Sequence, residues 1–179
     1  MRSGLIGGTT ILLAAALAGC TSMGSGGGGA GGIDLSRTHL GQPIARGQIA
    51  IEPANLADAN SAEFMAVAPA VQRELQRNGY TVVQTRGTSE QVARVDVRQG
   101  SHAALTTGWA GIQPRRDASA SAMLLDVRIQ RRSDGTVYWQ GRAVGDSPAG
   151  ADRTATVNRL ATALFQDFPG ESGRTIRVR

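Results

Sequence analysis

The sequence predicts an α+β fold: a mostly antiparallel sheet with two amphipathic helices packed on one face. Residues near 94–98, 126–130 and 138–142 alternate charged with apolar side chains, which is typical of strands with one solvated face. Residues 61–78 and 152–168 repeat apolar side chains every three or four positions, which is typical of helices that bury one side. We therefore expect both helices on the dry face of the sheet.

Turn residues divide the predicted strands. Gly41-Gln42-Pro43 ends the first strand, and Pro53 ends the second. Asp134-Gly135 predicts a tight hairpin, because this pair tolerates the positive φ angles that such a turn needs. Strands are expected at 33–40, 47–52, 80–84, 91–99, 118–132, 136–144 and 175–178.

Both helices carry end signals. Ser61 is placed to cap the first helix, and Asn78-Gly79 is a typical end for it. Pro69 lies inside this helix and removes one backbone hydrogen bond, so a kink or a late start is expected there. Pro169-Gly170 ends the second helix.

The predicted wet face carries six charged residues that we expect to form cross-strand ion pairs. Each such pair contributes about 0.2–1 kcal/mol, which favours an ordinary solvated sheet face over a ligand site. The six residues are Arg94, Asp96, Arg98, Asp126, Arg128 and Arg142.

Residues 100–117 are predicted to be a long loop, since glycine and proline interrupt any periodic pattern. Trp109 stands out there, between Gly108 and Gly111. Its ring has three interpretations: insertion into lipid, binding of a ligand or partner, or folding back as a lid on the core, which is the commonest. Trp109 is therefore the one candidate ligand-binding residue.

The first twenty residues have the order of a secretion signal. Arg2 precedes an apolar stretch over 5–17, and the small residues Ala18 and Gly19 precede Cys20. This stretch resembles a bacterial lipoprotein signal peptide with its lipobox, which implies cleavage between Gly19 and Cys20. The resemblance further implies that Cys20 carries acyl chains such as palmitate, and more than one chain anchors a protein stably in a bilayer. The alternative is an ordinary secretory signal with a chance cysteine.

Three segments follow from this interpretation: a signal peptide over 1–19, a lipidated tether over 20–32, and a single α+β domain over 33–179. The tether is rich in glycine, so it is expected to span roughly 20 Å as a coil and about 40 Å when extended. Thr21 follows the cysteine where enterobacterial inner-membrane lipoproteins carry Asp. We therefore expect a lipid-anchored protein of the outer membrane that faces the periplasm.

Composition limits the partners. All 19 basic residues are arginine, and the formal net charge is +5. The charges are scattered and only seven residues are aromatic, which argues against nucleic acid binding. Anionic lipid headgroups suit this charge better, and an envelope protein is the other expected partner. Cys20 is the only cysteine, so no disulfide within the chain is expected.

No motif for catalysis or cofactor binding is found. His39 and His102 are isolated in sequence and do not make a zinc site, so surface or capping roles are expected, with no metal and no cofactor. A hydrolase of the cell wall would need paired carboxylates, but each acid has an adequate place in a turn or on a strand. The available acids are Glu90, Asp96, Asp126 and Asp134. The chain is therefore predicted not to be an enzyme.

Several packing and turn segments resemble small proteobacterial envelope lipoproteins whose domain family has no characterised function. These segments are 37–40, 49–53, 63–64, 75–80, 137–143 and 164–170. The resemblance implies an α+β envelope lipoprotein and supplies no catalytic or binding residue. The leading hypothesis is a membrane-anchored, non-enzymatic structural or protein-interaction module. The alternative is a binding module for a small or polymeric envelope ligand, and a cell-wall hydrolase comes third.

Overall fold

The computed structural model describes residues 31–85, 87–113 and 116–179. The predicted signal peptide, Cys20 and most of the tether lie outside the described residues. Within them, no helix has both the length and the hydropathy to cross a bilayer. The strands are β1 (Ile33–His39), β2 (Gln48–Pro53), β3 (Thr81–Val83), β4 (Gln91–Ser101), β5 (Ser121–Arg131), β6 (Val137–Asp146) and β7 (Thr175–Val178). The helices are a 3₁₀ helix (Leu56–Asn60), α1 (Ala62–Arg77), α2 (His102–Leu105) and α3 (Arg153–Phe165).

The seven strands form one mixed sheet in the order β3-β2-β4-β5-β6-β1-β7. The α+β class and the mostly antiparallel character are confirmed, because the pairs β4-β5, β5-β6, β6-β1 and β1-β7 are antiparallel. The pairs β2-β3 and β2-β4 are parallel, which the sequence did not predict. The parallel β2-β3 pair has a simple reason: α1 crosses over between these strands and returns the chain in the same direction.

Helix α1 begins at Ala62, directly after its cap. The Ser61 hydroxyl accepts a hydrogen bond from the Phe64 amide at 3.1 Å, as predicted. The late start expected from Pro69 is wrong, since the helix continues through this residue. Pro69 is exposed. The carbonyl of Met65, which loses its usual partner there, lies on the same side and can bond to water.

Helices α1 and α3 cover one face of the sheet, here called the inner face, and the other is the outer face. Trp139 on β6 is fully buried on the inner face, and its ring centroid lies 5.4 Å from that of Phe165 and 5.1 Å from that of Phe168. A Cβ on Gly141 would lie 2.2 Å from the Trp139 ring. Only glycine therefore lets the indole lie flat across its own strand.

The Tyr80 hydroxyl is buried in this core and has no hydrogen-bond partner among the described residues. Burial raises the pKa of Tyr80 to about 12, against the opposing effect of Arg46. A buried polar group without a partner costs about 1–3 kcal/mol. We expect Tyr80→Phe to raise the free energy of unfolding by about 1 kcal/mol, measured by urea denaturation. A loss of stability would show that a water molecule bonds to the hydroxyl.

The sequence suggested that the outer face is solvated, but the structure shows that part of this face is covered. Residues 102–113, here called the cap, fold back over the outer face at the ends of β5 and β6. Strand β4 extends to Ser101, and the Ser101 hydroxyl caps α2 by accepting from the Ala104 amide at 3.2 Å. The predicted 100–117 loop therefore begins with a strand end and a helical turn.

Candidate functional site

Trp109 is a residue of the cap that packs onto the sheet, and its ring is not in solvent. Its side chain is only 5% exposed and packs against Leu124 and Val144 on the outer face. The Arg142 guanidinium carbon lies 4.8 Å from the centroid of the indole ring, within cation–π range. Of the three interpretations of Trp109, the structure matches folding back as a lid, on the outer face rather than on the main core.

A buried carboxylate ties the cap to the sheet. Asp34 on β1 is 1% exposed, and its Oδ2 atom lies 2.7 Å from Nε2 of His102, the first residue of the cap. Arg177 on β7 donates from Nε to Asp34 Oδ1 and from its terminal nitrogen to Oδ2, both at 2.9 Å. Asp34 is thus satisfied by two partners, His102 and Arg177, that lie 68 and 143 residues further along the chain.

His39 also ties distant segments together. Its Nδ1 accepts from the Gly41 amide at 3.1 Å, so Nε2 carries the proton and donates to the Gly170 carbonyl at 3.0 Å. The two histidines therefore hold separate segments. His39 contacts the 169–173 turn, and His102 joins the cap to Asp34 of β1. Among the described residues, no three His, Cys, Asp or Glu side chains gather to hold a metal ion.

The predicted charged residues of the outer face pair both along and across strands. Asp96 pairs with Arg98 at 3.1 Å, and Asp126 pairs with Arg128 at 3.5 Å. Across strands, Asp96 lies opposite Asp126, so the register places like charges together. Arg142 opposite Asp126 is the one complementary partner in register from the predicted set. Arg94 on β4 pairs across strands at 3.1 Å, but with Glu52 of β2, which was not in the predicted set. The predicted six therefore make few cross-strand pairs with one another among the described residues.

Asp126 is the acid of this set with the most unusual surroundings. Burial raises its pKa, although Arg128, Gln140 and Arg142 oppose that change. The Gln140 amide donates to both carboxylate oxygens, at 3.2 and 3.0 Å. A trough of about 530 Å³ next to it is lined by Asp96 and Arg94 as well. The two carboxylates that line this trough, Asp96 and Asp126, are the pair that a hydrolase would need. The hydrogen bonds from Gln140 also give Asp126 a structural role.

A second concavity, here called the slot, lies on the inner side of the sheet. It has a volume of about 410 Å³ and lies between the end of β2, the 3₁₀ helix, the first turns of α1 and the middle of β4. Its apolar lining comes from Phe64, Val67 and Val97. Its acidic lining comes from Asp58 and Glu63, and Asp96, whose side chain belongs to the outer face, borders it.

The slot lies beside an unpaired strand edge. Strand β2 pairs with β4 only as far as Pro53, which lies opposite Val95, whereas β4 pairs with β5 along residues 91–101. Ala54 donates its amide to the Val95 carbonyl at 2.8 Å, and there the chain turns away into the 3₁₀ helix. Within the described residues, no strand pairs with 96–101 of β4 on the side of β2.

One feature of the sequence does indicate the slot, although it is not sufficient alone. Pro53 predicts the end of the second strand, while the alternation of apolar and charged residues in 91–99 runs on to Gln99. Neighbouring strands of unequal length leave an edge uncovered. What sequence reasoning lacked was the parallel β2-β4 pairing that makes them neighbours.

Comparisons with known proteins place this chain only broadly. No family model matches it. A stretch of 59 residues, 31% of the chain, is 41% identical to the Uncharacterized protein ZMO1243 of Zymomonas mobilis. The match spans 22% of that protein, so this chain covers about a fifth of its relative's length. The expected kinship with a proteobacterial protein of uncharacterised function is thus confirmed, while the lipoprotein signal stays a prediction.

Two solved structures align with this chain at low sequence identity. A PDZ domain protein from Parabacteroides distasonis matches over 83% of this chain and 39% of that one, with 12% identity and a TM-score of 0.55. A PelC dodecamer from Paraburkholderia phytofirmans matches over 73% of this chain and 94% of that one, with 14% identity and a TM-score of 0.45. The first likeness concerns the fold alone.

Proposed function

We propose that this protein is an envelope lipoprotein, anchored through acylated Cys20, whose folded domain is a non-enzymatic protein-interaction module. The observation that carries the interaction role is the uncovered edge of β4 beside the slot. Free backbone donors and acceptors at a sheet edge are a ready-made surface for another chain. The proposed anchor rests on the order Arg2, apolar stretch, Ala18-Gly19, Cys20 in the sequence.

The anchor and the edge fit one physical picture. A Gly-rich tether lets the domain move roughly 20 Å from the bilayer surface while it stays attached. A partner in the same envelope would then meet the domain at high effective concentration, which makes a modest affinity useful. Two side chains of the cap support a structural role for this segment, because Trp109 and His102 are both buried against the sheet.

Replacement of Cys20 by serine tests the anchor. Serine cannot form the thioether to diacylglycerol, so we expect the Cys20→Ser protein to move from the membrane pellet to the soluble periplasmic fraction. The measurement is fractionation with immunoblotting, together with loss of incorporated radiolabelled palmitate. Ser22→Ala is a matched control that should leave both unchanged. A Cys20→Ser protein that stays fully in the membrane fraction would contradict the proposed anchor.

A further inference from the structure

We propose that the slot binds an extended segment of another protein, which adds as a strand to β4 and turns both an aliphatic and a basic side chain to the inner face. This inference rests on the proposed interaction role and names its site and the chemistry of its partner. Strand addition uses backbone hydrogen bonds for affinity and pockets for alternate side chains for selectivity. The β4 edge and the slot supply both elements side by side.

The backbone of β4 presents its free groups in the direction of the slot. The Val95 carbonyl accepts from Ala54, so it points toward β2. Backbone groups of residues two apart point the same way in a strand, so those of Val97 and Gln99 also point toward this side, beyond the last paired residue of β2. An added strand would therefore find the amide and the carbonyl of Val97 and Gln99 in line.

The slot gives such a strand a place for an apolar side chain. Val97 is partly buried on the inner face, and Phe64 and Val67 of α1 form the opposite wall. A strand lying beside β4 sends every second side chain to the inner face, into this wall, and the intervening ones to the outer face. One aliphatic side chain would fill the slot, and the next side chain on the same face, two residues along, would meet the polar rim.

The charge of the slot selects the second side chain on the inner face. In a chain with 19 arginines, the inner-face residues that line the slot include the carboxylates of Asp58 and Glu63 and, among the described residues, no guanidinium. Glu63 is paired with Arg153, and Asp96 is paired with Arg98. Asp58 has no ion-pair partner within the described part of the chain. A lysine or arginine of the partner would meet this carboxylate at the rim.

Titration by NMR tests the proposal. The probe is a synthetic octapeptide in which every second residue is threonine and the residues between are valine and lysine in turn, added to the ¹⁵N-labelled Cys20→Ser full chain. We expect saturable shifts of the Val97 and Gln99 amide signals below 1 mM peptide, and no comparable shifts at Thr136 in the distant hairpin. The same peptide with every amide N-methylated keeps its side chains but loses its backbone donors in either strand direction, so we expect its binding to weaken at least tenfold. Absence of shifts at Val97 and Gln99, or equal binding of both peptides, would overturn the proposal.

Two variants at one position separate the backbone from the side chain. Gln99→Pro removes the amide proton that points away from β5, so the β4-β5 ladder is kept and peptide binding should fall at least tenfold. Gln99→Ala keeps the amide and should change affinity by less than twofold. The ¹⁵N spectrum of each variant reports whether its fold is intact. Asp58→Asn should weaken binding about threefold or more, while Asp134→Asn, far from the slot, should not.

The outcomes also distinguish other occupants and the proposed function itself. Shifts at Val97 and Gln99 that depend on protein concentration without peptide would mean that a second copy pairs with the edge, and would overturn the peptide as occupant. The anchor is tested separately, because the titration uses the Cys20→Ser chain. If photocrosslinking in cells finds a partner at another surface while the peptide does not bind, the interaction role survives and the slot proposal fails.

Discussion

Replacing Arg37 with methionine is expected to lower the free energy of unfolding by about 4 kcal/mol, counting about 1–3 kcal/mol for each buried group left without a partner. Arg37 lies on the inner face and is only 5% exposed. Its Nε donates to the Leu164 carbonyl at 3.0 Å, and a terminal nitrogen donates to the carbonyls of Ala163 at 2.9 Å and Gln166 at 3.0 Å. These carbonyls belong to the last turn of α3, where an α-helix leaves acceptors unsatisfied.

The guanidinium therefore completes the end of α3 and complements the negative end of its dipole. Burial lowers the pKa of Arg37, and the carboxylate of Asp167 acts in the opposite direction. A lysine has one compact ammonium group and cannot repeat the forked geometry. We therefore expect Arg37→Lys to be destabilised as well, by roughly half as much.

Urea denaturation followed by circular dichroism measures these changes. Arg174→Met is the matched control, because Arg174 pairs with Glu171 on the surface, and such pairs contribute about 0–1 kcal/mol. By the usual scaling, the Arg37→Met protein should also melt roughly 10 °C lower. A loss below 1 kcal/mol in Arg37→Met would show that water satisfies the end of α3 instead.

Local pattern was sufficient for most elements of this fold. The alternation in 33–40 put Arg37 on the same face as Ile33 and Leu35, and all three are buried on the inner face. The start of α1 directly after its N-cap residue Ser61 also follows from local chemistry. These features depend on residues within a few positions of one another, which is why a single sequence can reveal them.

Contacts between distant segments were not predictable in this way. The alternation placed Asp34 on the wet face, yet it is buried because the cap, which arrives from 68 residues further along the chain, covers it. The parallel pairing of β2 with β4 likewise depends on how the chain returns after α1 and β3. A periodic pattern gives the face of a residue but does not identify what lies against that face.

The candidate sites show the same limit. Trp109 was singled out because an aromatic ring between glycines is unusual, and the structure shows what lies beneath it, the apolar pair Leu124 and Val144. The slot, by contrast, consists of residues that are ordinary one by one. Phe64, Val67 and Val97 each look like core residues in sequence, and only the early end of β2 leaves a space between them.

The second large effect is expected at Asp34, whose replacement by alanine should lower the free energy of unfolding by about 3 kcal/mol, at the lower end of the range for breaking a buried ion pair. The lower end applies because the Arg177 side chain is 38% exposed and can regain water when it loses its partner. His102 cannot do so, since it is 2% exposed. Most of the destabilisation should therefore fall on the cap that His102 begins.

That difference makes the role of Asp34 separable from a general loss of stability. If Asp34 holds the cap, hydrogen exchange in residues 102–113 should accelerate more in Asp34→Ala than exchange in the buried middle of β5. His102→Ala should produce the same local pattern, and the double variant should be less destabilised than the sum of the two, because both changes remove one contact. Thr38→Ala, on the same face of β1 but exposed, is the control and should leave exchange in the cap unchanged.

The opposite result would be equally informative. Uniform acceleration of exchange across the sheet, with no excess in residues 102–113, would mean that Asp34 supports β1 and β7 through Arg177 rather than the cap through His102. Those two functions share one carboxylate, since Oδ1 and Oδ2 both accept from Arg177 and Oδ2 also lies against His102. The exchange pattern therefore decides which of the two contacts keeps Leu124 and Val144 covered, and with them the apolar part of the outer face.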